Sequence, residues 1–230
     1  MTNNELDNQT IQQICDVLLL NGGFLSNPGL YTGEMGLVLF FTHYARYTQN
    51  DLYFEYAYEL MEKTQNKIHH ETPIYYKHGL TGIGSVIEYL VQNGYFEAEI
   101  DDVLEDFDNR IFFTYNLQNL SIDVATDIAY YAAWRMSGTS RKKDMIQKNI
   151  LSPIEQHYVL PKLCLNMPEF LVDKTYNRCL ELISKNLFWS QDASLQDGLA
   201  GWGLSLLTEL TGNNSWYSLF PNKLINDINK

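Results

Sequence analysis

Three stretches of the chain open an apolar helix with glycine: "TGEMGLVLFF" (32–41), "KHGLTGIGSVIEYL" (77–90) and "DGLAGWGLSLLTEL" (197–210). Glycine inside a helix costs about 1 kcal/mol relative to alanine, a penalty largely avoided at the helix start. Repetition of the arrangement therefore calls for a reason, and two are available. Helix starts that converge crowd one another, and residues without a Cβ let backbones approach closely. Converging N-termini also aim free N–H groups and positive dipole ends at a shared point, which can hold an anion or polarise a ligand.

Each glycine-led helix is followed by an amphipathic one. "EMGLVLFFTHYARYTQ" is apolar on all sides, and "DLYFEYAYELMEKTQNKI" follows the capping pair Asn50-Asp51, with Leu52, Tyr56, Tyr58, Leu60 and Met61 as its apolar side. "GIGSVIEYLVQNG" precedes "EIDDVLEDFDNRIFF", and "DVATDIAYYAAWRMSG" precedes the polar "RKKDMIQKNILSPIEQHY". An N-terminal helix carries Leu6, Ile11, Ile14, Cys15, Leu18 and Leu19 in one stripe, and "NGGFLSNPG" ends it. No period-2 strand stands out. With Gly33, Gly79, Asp123, Asn166 and Gly198 taken as equivalent starts, the modules begin 46, 44, 43 and 32 residues apart. A module of about 45 residues fits one helical hairpin. The expected fold is all-α, a toroid-like double layer of repeated helical hairpins, with buried members forming the inner wall. Residues 1–230 form one helical domain on this reading.

Charge and cysteine content narrow the function. A formal net charge of −12 argues against a nucleic-acid backbone or an anionic membrane as partner. In the acid-rich stretch "EAEIDDVLEDFD" (97–108), Ile100, Val103, Leu104 and Phe107 keep helical spacing, which assigns the carboxylates to a solvated face. Cys15, Cys164 and Cys179 show no metal or disulfide spacing and suit a reducing compartment. The N-terminus lacks the features of a signal peptide, and no apolar run reaches the roughly 20 residues of a membrane span. The expectation is a cytoplasmic protein.

The glycine modules resemble lanthionine synthetase C-like (LanC-like) proteins, whose inner helices begin with a G-x-x-G-[hydrophobic]-G pattern or a near variant. The resemblance implies an α/α toroid, here with five candidate inner-helix starts and therefore an incomplete or irregular ring. It also implies bacterial peptide modification: family cyclases hold zinc through two cysteines and a histidine and activate a peptide thiol for addition to a dehydroamino acid. The Cys-His pair of that set precedes the glycine of a late module, where this chain has Gln196 and Asp197. The remaining cysteine stands in a W-C-x-G-x-P-G pattern, of which "LCLNMPEF" keeps only Cys164 and Pro168. No metal or cofactor is therefore expected. His78 occupies the place of a family histidine that works in proton transfer. The candidate catalytic residues are His78, Asp123 and Asp197, where inner-helix starts converge.

Three function classes follow. The first is the LanC-like one, with an accessory or peptide-binding role in place of zinc chemistry and a peptide substrate or protein as partner. The second is a carbohydrate-active enzyme of α/α-toroid type with paired carboxylates about 5–10 Å apart, drawn from Glu34, Asp123, Asp127 and Asp197. A non-enzymatic partner-binding module is the third. His43 on a buried-type helix, His69-His70 at a helix end and His157 carry less, and the sequence leaves catalysis and oligomeric state open.

Overall fold

The computed structural model describes residues 3–158, 163–164, 192–196, 198–220 and 222–223. Among them the chain is all-α. The only extended pairing there is a two-residue antiparallel bridge, Leu163–Cys164 with Asn222–Lys223. The helices group into two compact units, one from the described residues of 1–70 and 167–217, the other from those of 71–166 and 218–230. The start expected at Asn166, with Pro168, Cys179 and the candidate residue Asp197, lies outside the described residues.

The first unit contains α1 (Asn3–Asn21), α2 (Glu34–Thr48), α3 (Asp51–Lys67) and the glycine-led helix of the last module, Leu199–Thr211. Helix α2 is buried from Glu34 to Ala45, as its all-round apolarity predicts. It pairs with α3, which Asn50 starts by accepting the Leu52 backbone N–H. The two helices mesh through aromatic rings: Phe41 meets Tyr56 edge-on at 4.7 Å, and Tyr44 meets Tyr53 at 4.7 Å. The buried face of α3 is Ala57, Leu60 and Thr64, whereas Leu52 and Tyr58 are exposed. The apolar side expected from the sequence is thus rotated toward the small, fully buried Ala57. In α1 the core positions are Ile11, Ile14, Cys15, Val17 and Leu18, with Leu19 at its edge.

The second unit contains α4 (Leu80–Gln92), α5 (Ile100–Val103), α6 (Glu105–Phe113), α7 (Ile122–Ser137), α8 (Lys143–Ile146) and α9 (Ser152–His157); Leu199–Thr211 is α10. A π-helical turn, Gln147–Leu151, joins α8 to α9. Helix α4 is buried from Leu80 to Leu90 and packs on α7. Gly84 makes this possible, since a Cβ there would lie 2.6 Å from the Tyr131 ring. Gly203 of α10 plays the same part against Phe40, at 2.3 Å.

One correction concerns the acid-rich stretch. Asp102, Glu105 and Asp106 are exposed, but Asp101 and Asp108 are buried and face Arg135 of α7, itself fully buried. Arg135 reaches Glu88 of α4 at 2.7 Å, Asp101 of α5 at 2.6 Å and Asp108 of α6 at 3.0 Å. The Tyr131 hydroxyl donates to Asp108 at 2.7 Å. Arg141 and Lys142 approach from the edge, at 3.2 Å from Asp101 and 3.0 Å from Asp108. Burial works to raise Asp101, but hydrogen bonds from Ser140, the Arg141 backbone and Arg135 outweigh it and hold the carboxyl well below its usual range. Glu88 is pushed upward by burial, which Arg135 and Gln92 only partly offset.

Candidate functional site

The glycine-led starts share one local geometry. In each, the first helical N–H donates to a carbonyl seven residues earlier: Glu34 to Asn27 at 2.9 Å, Leu80 to Pro73 at 2.9 Å and Leu199 to Asp192 at 2.7 Å. The preceding loop curls back over the helix start, and the residue before the helix must let it pass. A Cβ on Gly33 would lie 2.3 Å from the Asn27 oxygen, one on Gly79 1.9 Å from that of Pro73, and one on Gly198 2.2 Å from that of Asp192. Asn27 and Asp192 brace the loop further by accepting the Gly29 and Ser194 N–H groups. The first glycine of each module therefore serves its own loop. The leading N–H of each helix is already satisfied, which removes one donor from the anion-binding reading of these N-termini.

Convergence of neighbouring starts is visible inside each unit. In the first, Gln196 N–H donates to Tyr31 at 2.8 Å, and a Cβ on Gly36 would lie 2.8 Å from the Leu195 Cβ. In the second, the Tyr76 N–H donates to Asp127 of α7 at 3.0 Å, joining the loop before α4 to α7. Helix α7 differs from the glycine-led helices, because Ser121 caps it through its own side chain on the Val124 N–H.

His78 is exposed on the loop before α4, and Asp123 is exposed on the first turn of α7. They belong to the two elements that Tyr76 and Asp127 tie together, and Asp197 lies outside the described residues. Burial and the neighbouring Lys77 lower the His78 pKa, so its ring is neutral at pH 7 and can accept a proton. Of the other carboxylates, Glu34 is fully buried between Lys63 and Lys67, each at 2.9 Å, and Asp127 serves Tyr76. Both are engaged in holding loops and helices in place.

The remaining histidines are structural in setting. His157 ends α9 with its Nδ1 2.8 Å from the Pro153 carbonyl, and His69 and His70 are exposed just beyond α3. His43 is buried, and burial with Arg46 nearby lowers its pKa to about 3. The unfolded chain then binds a proton near pH 6.5 that the native state refuses until about pH 3. Its contribution is complete above pH 6.5 and is lost as pH falls through that window, by up to about 1.4 kcal/mol per pH unit. Glu88 opposes this slope in the carboxylate range, and His78 adds to it just below pH 6.5, so the difference between the wild type and a His43 variant isolates His43. Chemical denaturation from about pH 6.5 to 5.5 should show the slope in the wild type and a markedly shallower one in His43→Phe.

The donor set does not match the family's zinc site. At the place of the Cys-His pair stand an amide, Gln196, and a carboxylate, Asp197, neither of which supplies the soft thiolate that zinc favours. Cys15 is buried in α1, where burial pushes its thiol up to about 12 despite hydrogen bonding with Tyr53 and Tyr44. Cys164 lies on the two-residue bridge. Among the described residues no three His, Cys, Asp or Glu side chains gather as a metal-ion site.

Buried helices opened by glycine loops and paired with amphipathic partners define an α/α helical-hairpin protein. Residues 25–125 match the family model described as lanthionine synthetase C-like protein, a span that includes the Gly33 and Gly79 modules, His78 and Asp123. Over that span the chain is similar to the LanC-like family. No curated protein and no solved structure matches it. No helix among the described residues is long and apolar enough to cross a membrane.

Proposed function

We propose that the chain acts as one LanC-like helical domain in bacterial peptide modification, as an accessory or peptide-binding module without the zinc chemistry of thioether-forming cyclases. The family match over residues 25–125 carries this reading. The amide and carboxylate at Gln196 and Asp197 support the absence of zinc chemistry. The partner is a peptide, and the net charge of −12 favours a neutral or basic one over an anion. Its place of action is the cytoplasm. If proton transfer accompanies binding, His78 accepts the proton, with Asp123 and Asp197 at neighbouring helix starts as carboxylate partners.

Two measurements on the full chain test this. Metal content by mass spectrometry, on protein purified without chelator or histidine tag, should give well under one zinc per chain. Calorimetry with a peptide containing cysteine and dehydroalanine should give binding that His78→Ala weakens without unfolding the protein. One equivalent of zinc, or no binding to any such peptide, would overturn the reading.

A further inference from the structure

The second unit holds a cavity of about 290 Å³ that lies apart from His78 and Asp123 in its lining. Its wall is Tyr76, Tyr130, Ala133 and Trp134, with Gln92 and Ser137 at its polar edge. Ligand pockets run from roughly 300 to 1,000 Å³, so this one suits a single ring with a short stem. The walls are held in place before anything binds. The Tyr76 hydroxyl donates to the Leu219 carbonyl at 2.9 Å, and the Tyr76 and Tyr130 rings meet edge-on at 5.8 Å. Trp134 is set edge-on to Tyr89 at 6.0 Å.

The polar edge is already engaged. The Gln92 amide donates to Glu88 at 3.1 Å, to the Trp134 carbonyl at 3.2 Å and to Ser137 at 3.1 Å, and Ser137 donates to the same carbonyl at 2.8 Å. No charged side chain lines the cavity among the described residues. The nearby Asp127 carboxylate accepts the Tyr76 N–H. Burial and Asp127 push the Tyr130 hydroxyl up to about 12, so it adds no charge at neutral pH. A cation or anion entering here would shed its water with no opposite charge to meet. An uncharged ring would instead extend the edge-to-face arrangement of Tyr76 and Tyr130, a geometry aromatic groups prefer.

We propose that this cavity is the subsite that receives an uncharged aromatic side chain of the peptide. The proposal rests on the peptide-binding reading above and adds a sequence preference to it. Ala133 is exposed on α7, so a larger side chain there can fill the cavity without entering the core.

The test uses the full chain and N-acetyl-phenylalaninamide as probe, with the norleucine and lysine analogues as comparisons, followed by amide NMR titration. The phenylalanine probe should bind about tenfold more tightly than either analogue, in line with an edge-to-face aromatic contact that neither analogue can make. Shifts should concentrate at Tyr76, Tyr130 and Trp134, and Ala133→Trp should abolish them while leaving the far-UV circular dichroism unchanged. Should that variant fail to fold, the wild-type shift map alone decides. Equal affinity for norleucine, preference for lysine, or shifts elsewhere would overturn the subsite. Peptides carrying phenylalanine should also bind about tenfold more tightly than their alanine counterparts. Peptide binding without that preference overturns the subsite and leaves the peptide reading standing. Probe binding at the cavity with no peptide binding overturns the peptide reading and leaves an aromatic site.

Discussion

Arg135→Ala is expected to cost about 3–5 kcal/mol, the range for removing one partner of a buried ion pair. Arg135 is the fully buried cation among three carboxylates that are almost fully buried themselves. Each carboxylate comes from a different helix, so removal of the guanidinium loosens the contacts of α7 with α4, α5 and α6 together. Arg141 and Lys142 cannot take over. Arg141 is largely exposed, and neither it nor Lys142 forms an ion pair with Glu88. Glu88 would keep only the Gln92 amide, and the carboxylates left behind would repel one another. For a chain of this size the loss corresponds to a fall in Tm of roughly 10–15 °C. The deficit should narrow from pH 7 to pH 4, because unpaired buried carboxylates in the variant can protonate. Thermal unfolding at both pH values measures it, and a fall under 3 °C at pH 7 would show that the cluster is not holding these helices.

Gly79→Ala ranks second, at about 3–4 kcal/mol, a value reserved for strain that the backbone cannot relieve. The added Cβ would lie 1.9 Å from the Pro73 carbonyl oxygen, which also accepts the Leu80 N–H. Relief of the clash requires moving the Pro73 backbone and losing that hydrogen bond. The loop that carries His78 would shift with it, so peptide binding should fall alongside stability. Gly23→Ala is the control: a Cβ there meets nothing within 4 Å, and the change should stay within about 0.5 kcal/mol. Denaturant unfolding of both variants separates a clash from a general intolerance of alanine. Equal midpoints would refute the looped-start account.

Much of the fold was legible because burial on all sides leaves a plain mark. Helices α2 and α4 are apolar around their whole circumference, and both are buried for eleven or more successive residues. The Asn50 cap was equally readable, since an asparagine before a periodic run has few other uses. The glycine repeat pointed to close approach but not to what approaches. Periodicity describes helices, whereas the carbonyl that closes on Gly79 belongs to its own loop, six residues back. The ion cluster was missed for a related reason. Asp101 and Asp108 sit among exposed acids and share their composition, and only the partner distinguishes them. A signal did exist in Glu88 and Arg135, charges placed inside otherwise apolar helices, which are rarely buried without a mate. His78 stands out through the resemblance, and Asp123 through its place at an expected helix start. The structure adds that Tyr76 and Asp127 link the elements carrying them, a tie that no sequence spacing announces.

The most direct test is the fate of a peptide thiol. A peptide carrying cysteine and dehydroalanine is incubated with the purified chain, with and without added zinc, and remaining free thiol is titrated by alkylation and mass spectrometry. The account predicts that the peptide binds and that its thiol disappears no faster than without protein, in either condition. Zinc-dependent loss of the thiol, with thioether formation confirmed by fragmentation, would contradict it and restore the chain to the ranks of the cyclases.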